Sequence, residues 1–192
     1  MIVHLNGWPG AGKSTIGAAL AGKLGARFVH NHLLHDVAIV CAGFDSPERW
    51  PLYERIRAAA YDSLLGRPPS EVFVLTNALC SANLREVEAW RHVVDLAIAR
   101  QVPLIPVILE IEPAENVRRL QSADRIGRKL TDPAVLRSYF DQERLLCPDV
   151  PETCTFDVTR LSPEEAAALI KAHVESSALL FHSATKDHLR LR

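Results

Sequence analysis

The residues best equipped for chemistry stand near the start of the chain, in Gly7-Trp8-Pro9-Gly10-Ala11-Gly12-Lys13-Ser14-Thr15. A glycine, four residues and then Gly-Lys-Ser is the spacing of a phosphate-binding loop. Glycines let the backbone turn without a Cβ clash, so successive N–H groups can converge on phosphate oxygens. The start of a following helix adds unpaired donors and a partial positive charge. Lys13 is long enough to reach β- and γ-phosphates, and the Ser14 hydroxyl suits a magnesium ion. Gly7, Pro9, Gly10, Ala11, Gly12, Lys13, Ser14 and Thr15 are therefore the expected contacts of ATP, with Mg²⁺ on Ser14.

Such a loop works between a strand and a helix, and its flanks supply both. Ile2 to Leu5 is a short apolar run, and Ile16, Leu20 and Leu24 recur at helical spacing. Further strands are expected over 26–30, 71–76, 102–111 and 153–158. Pro103 and Pro106 lack ladder donors, so regular pairing in the fourth strand is expected to begin near Val107. Helices are expected over 37–41 and 51–65, the second started by Ser46 and Pro47. Another runs from Ser81 with Leu84, Val87, Trp90, Val94 and Ala97 inward. Two more cover 113–120 and 133 to about 146. The last follows the capping box Ser162-Pro163-Glu164-Glu165. Strands alternating with helices imply an α/β fold, a five-stranded parallel sheet between two helical layers. One domain is expected over 1–176, with 177–192 as a weakly periodic tail.

Composition narrows the function classes. A net charge of −1 gives no electrostatic pull toward a polynucleotide or an anionic membrane. No apolar run has the length of a membrane span. Cys41, Cys80, Cys147 and Cys154 form no C-x-x-C pair, so reduced, mostly buried thiols are expected, and no zinc site. The chain starts directly on a strand, leaving no room for a signal peptide, and a cytoplasmic location is expected.

In open parallel sheets ligands lie beyond the carboxyl ends of the strands. That rule singles out the loop at 7–15, His30-Asn31-His32, and Asn77 after the third strand. The basic stretch 121–131 can fold over the same edge. Trp50, Tyr53 and Arg57, in the insertion after the second strand, are candidates to line an acceptor pocket.

This layout, with Gly-Ala-Gly-Lys-Ser-Thr-Ile-Gly at 10–17, resembles the small P-loop kinases, among them shikimate kinase, gluconate kinase, chloramphenicol phosphotransferase and tunicamycin-resistance proteins. The likeness spans roughly residues 1–175 and implies a three-layer P-loop NTPase fold with a small lid. Ser122-Ala-Asp-Arg-Ile-Gly-Arg-Lys129 looks like the lid those kinases close over ATP. By that resemblance Arg125 or Arg128 neutralises charge on the transferring phosphoryl group. Thr159 to Pro163 stands where related kinases pass the adenine ring, and Arg160, or the pair Arg118 and Arg119, is expected to stack on the base, since guanidinium planes suit aromatic faces.

Departures from the resemblance matter as well. Shikimate kinase carries Asp-Ser-Asp where this chain has His30-Asn31-His32, so neither family carboxylate is present. A neutral imidazole can take a hydroxyl proton, which makes His32 the first candidate base and Asp36 the second. Asn31 and His32 are also expected to touch the acceptor. Many P-loop NTPases end their inner strand with an acid, whereas Leu75-Thr76-Asn77 has none. Asn77 is then expected to face the substrate or to support magnesium through water. A motor ATPase is disfavoured, and the absence of Asn-Lys-x-Asp disfavours a GTPase.

The function implied is ATP-dependent phosphorylation of a small-molecule hydroxyl, in a metabolite or an antibiotic. The alternatives are a non-catalytic nucleotide- or antibiotic-binding P-loop protein of the tunicamycin-resistance type, or a kinase of nucleotides or nucleic-acid ends. Acceptor identity and oligomeric state are left open by the sequence.

Overall fold

Strand β1 (Ile2–Gly7) is buried along its whole length and lies in the middle of the sheet. Around it the order is β2 (Arg27–His30), β3 (Phe73–Thr76), β1, β4 (Leu104–Glu110) and β5 (Cys154–Asp157). These four strand pairings are all parallel. The computed structural model describes residues 1–122 and 132–190, with side chains through 179. Arg125 and Arg128, the expected lid arginines, lie outside the described residues.

Alternation along β1 divides the core into two halves. Val3 and Leu5 join Val74, Ile105 and Val107 beneath α1 (Lys13–Leu24) and α7 (Pro163–Arg190). Ile2 joins Phe73 and Leu75 under α4 (Leu84–Arg100), with Tyr61 and Leu64 of α3 (Arg49–Leu65) packed alongside. The remaining helices are α2 (Asn31–Ala42), α5 (Pro113–Leu120) and α6 (Pro133–Gln142). This is the expected three-layer α/β arrangement around five parallel strands.

Several local expectations shift. Pairing of β4 begins at Leu104, and Pro106 sits opposite His4 within the ladder. Strand β5 pairs only from Val107 onward, so the flank at Pro106 is open and a missing N–H costs nothing there. Helix α2 starts at Asn31, at once after β2, several residues before its apolar run. Ser46 accepts from the Glu48 N–H in the turn ahead of α3, which begins at Arg49 without a side-chain cap. Asn83 caps α4, accepting from the Arg85 N–H. The buried face of α4 is Ala89, Val93, Leu96, Ala97 and Arg100, while Leu84 is 85% exposed beyond the sheet.

The Ser162–Glu165 capping box forms as expected. Its helix continues through Arg190, across the residues read as a weakly periodic tail. All four cysteines are free thiols, but only Cys80 is buried. Cys41 and Cys147 are exposed, because one lies on the outer side of α2 and the other follows α6. Among the described residues no helix is long and apolar enough to cross a membrane.

Candidate active site

The carboxyl end of β1 runs straight into the glycine-rich loop. Gly10 has φ 94°, and a Cβ there would come within 2.4 Å of Asn116 Oδ1 on α5. Gly12, with φ 88°, caps α1 in the left-handed conformation, and the Ile16 N–H returns to its carbonyl. These two glycines turn the chain so that α1 presents its amino end to the cleft. Lys13 Nζ reaches across the loop to the carbonyls of Gly7 (2.5 Å) and Trp8 (2.8 Å). The Thr15 hydroxyl is engaged with the Gly12 carbonyl.

The loop is tied down from behind by Asn6, a residue that no sequence motif marks. Its amide donates to the carbonyls of Leu79 (3.0 Å) and Leu146 (2.9 Å). Its oxygen accepts from the Gly7 N–H (2.9 Å) and the Leu79 N–H (2.7 Å). All of that side chain's polar capacity is used at 1% exposure. Asn6 thus joins β1, the segment after β3 and the segment after α6 at one point.

A cleft of about 570 Å³ opens in front of the loop. Pro9, Gly10, Gly12, Lys13, Ser14 and Thr15 border it on one side, and Asn31, His32, His35, Thr76 and Asn77 on another. Arg118, Arg119, Ser122, Leu161 and Pro163 border the remainder. Arg119 is pinned by Glu115 (2.7 Å) and by the carbonyls of Val158 (3.0 Å) and Thr159 (2.8 Å). Hydrogen bonds from Arg118 and Arg119 hold the Glu115 carboxyl down to about 2.

Not every residue expected at the site borders it. Asp36 and Arg160 are exposed and lie off the cleft. Tyr53 is buried and supports the wall instead, donating to Asn31 Oδ1 at 2.7 Å. Burial pushes its phenol up. Arg57 is also buried and borders a separate 230 Å³ groove between α3 and α4, with Tyr61, Asp62 and Asp95. Ser14 is the magnesium candidate on the cleft. Among the described residues the side chains bordering it include no carboxylate, and that donor set fits a cation held chiefly by phosphate oxygens and water.

His35, one helical turn beyond Asn31, also borders the cleft. It lies flat on Tyr53, with ring centroids 3.9 Å apart and planes 5° apart, and meets Trp50 edge-on. The signal was present in the spacing: residues 31 and 35 share one face of a helix. Desolvation, then the charges of His32 and Arg49, lower its pKa to about 4. His4, buried in β1, is likewise lowered to about 4, by desolvation and then by Lys13, against a hydrogen bond donated to the Asn77 Oδ1 that raises it.

A depressed histidine pKa has a definite sign. The unfolded chain takes a proton near pH 6.5 while the native state does not, so stability is full above 6.5 and lost toward 4. For His4 the shift corresponds to on the order of 3 kcal/mol. Urea unfolding is expected to show stability falling steadily between pH 6.5 and 4.5, with a smaller fall in His4→Gln. A flat profile in the wild type would contradict both shifts.

No family model matches the sequence, and no curated protein matches it. Solved structures do share its architecture. A gluconokinase from Sinorhizobium meliloti 1021 superimposes with TM-score 0.62 at 20% identity, over 95% of each chain. A shikimate kinase from Acinetobacter baumannii gives 0.54 at 19% identity, over 93% of this chain and 94% of that one. A tunicamycin resistance protein from Deinococcus radiodurans gives 0.58 at 15% identity, over 90% and 94%. The chain has the fold of the small P-loop kinases.

Proposed function

We propose that the protein is an ATP-dependent kinase acting on a hydroxyl of a small molecule, a metabolite or an antibiotic. The observation that carries this reading is the single cleft bordered by Lys13 and Ser14 on one side and by Asn31, His32, His35 and Asn77 on another. A phosphate-binding wall facing a wall of polar side chains suits a phosphoryl donor and a hydroxyl acceptor in one enclosure.

In this reading the loop N–H groups and Lys13 hold the β- and γ-phosphates, and Arg118 and Arg119 flank the base. Mg²⁺, held by Ser14 and the nucleotide, supplies neutralisation of phosphate charge. Phosphoryl transfer through a loose transition state asks mainly for positioning and charge stabilisation, so one modest base suffices. A base with pKa near 4 accepts a proton poorly at neutral pH, which disfavours His35. His32 is exposed at the same wall and is assigned that role.

A second reading, nucleotide binding without transfer, draws support from the lack of a carboxylate among the described side chains that border the cleft. Phosphorus NMR with ATP, Mg²⁺ and a panel of sugars, hydroxy acids and hydroxylated antibiotics separates the two. A new phosphomonoester signal with matching ADP is the expected result. ATP binding with no acceptor-dependent ADP across the whole panel would favour the second reading.

A further inference from the structure

One polar pair links the sheet interior to the cleft, His4 of β1 and Asn77 after β3, and His4 has no task in the scheme above. His4 is 1% exposed, and its Nε2 lies 3.0 Å from Asn77 Oδ1. An amide oxygen can only accept, so Nε2 carries the proton and donates. The ring is lodged against Trp90, with centroids 5.2 Å apart. Asn77 is 6% exposed and borders the cleft, and its backbone N–H is fixed to the Leu5 carbonyl at 3.0 Å.

The Asn77 Nδ2 has no partner among the described residues, and it is not sealed in the interior. The carboxamide is therefore turned with its oxygen into the sheet and its nitrogen toward the cleft. So oriented, it offers N–H donors and withholds the atom that a metal ion would seek. Donors complement anionic oxygen. The strand next to β3 ends in the phosphate-binding loop, with Lys13 on the same cleft.

We infer that Asn77 donates a hydrogen bond to the terminal phosphoryl oxygens of a bound nucleoside triphosphate, and that His4 is a positioning residue acting through it. The inference rests on the nucleotide-binding reading above and goes further, because it makes the pair a sensor of the third phosphate. ADP, lacking that group, gains nothing from Asn77.

The test combines two measurements on the intact chain. Two-bond nitrogen–proton correlation of the wild type reports the His4 tautomer, and Nε2–H is expected. Calorimetry with ADP and with a non-hydrolysable ATP analogue, each with and without Mg²⁺, compares wild type with Asn77→Leu, His4→Leu and His4→Gln. Losing a donor to a charged oxygen is expected to weaken the ATP analogue by about tenfold or more in Asn77→Leu. His4→Leu should lose in the same direction. ADP binding should stay unchanged in both, and the loss should be the same with and without Mg²⁺. His4→Gln keeps an N–H for Asn77 and should recover most of the affinity.

An Nδ1–H tautomer would overturn the inference, since Asn77 would then turn its oxygen outward. A loss seen only with Mg²⁺ would overturn it in favour of a metal-facing oxygen. Equal losses for ADP and the analogue would overturn it in favour of a packing defect. Wild-type binding with unaltered Asn77→Leu affinity removes this inference alone. Failure of the wild type to bind either nucleotide removes the underlying reading as well.

Discussion

Replacing Lys13 with alanine is expected to lower ATP-dependent phosphoryl transfer by about a hundredfold to a thousandfold or more. The ammonium group is the cation that the loop itself carries, and it donates to two backbone carbonyls, those of Gly7 and Trp8, across the turn. Charge developing on the transferring group has to be met by preorganised positive charge, and water entering in place of the side chain cannot supply that orientation. The fold should survive, because Lys13 is half-buried and packs into neither half of the core. ADP release in the presence of an acceptor, measured alongside thermal melting, checks both parts. Transfer at the wild-type rate in a folded Lys13→Ala protein would remove Lys13 from the reaction.

The second large effect is on stability. Asn6→Ala is expected to cost about 3 kcal/mol or more, since buried N–H and C=O groups lose their partners together. Those groups are the amides of Gly7 and Leu79 and the carbonyls of Leu79 and Leu146. For a chain of this length the melting temperature should fall by about 6–12 °C. Asn6→Asp should recover only part of this, because a carboxylate can accept from the two N–H groups but cannot donate to the two carbonyls. Calorimetric melting of the wild type and both variants checks the order. An unchanged melting temperature in Asn6→Ala would mean that the three segments are held together by other contacts.

What the sequence reveals here divides by distance along the chain. The glycine loop is legible because its chemistry is packed into nine consecutive residues, with a strand before and a helix after. The capping box at Ser162 and the helix of α5 are equally local. Boundaries set by tertiary context are less so. Helix α2 begins in His-Leu-Leu-His-Asp, where polar residues mask the period, because β2 ends at His30 and the chain must turn at once. The face of α4 is displaced from the expected one because its first turn lies beyond the sheet, leaving Leu84 with nothing to cover.

Side-chain meetings across the fold were hidden altogether. Asn77 meets His4 from 73 residues away, and Leu146 meets Asn6 from 140. Yet His4 and Asn6 did carry a signal, as polar residues inside an otherwise apolar inner strand whose side chains must find partners. Tyr53 and Arg57 show the opposite ambiguity. A tyrosine and an arginine at i and i+4 fit a pocket or an interior equally, and in the fold both are buried, Tyr53 against Asn31 of α2 and Arg57 beside the groove between α3 and α4. Tyr53 still touches the cleft's function, through its hydrogen bond to Asn31.

Calorimetric titration of the wild-type chain with ATP and Mg²⁺ bears most directly on the nucleotide site from which the proposed reaction follows. One saturable site per chain is expected, competed by ADP and severely weakened in Lys13→Ala. No binding heat and no shift in melting temperature at millimolar ATP would contradict it.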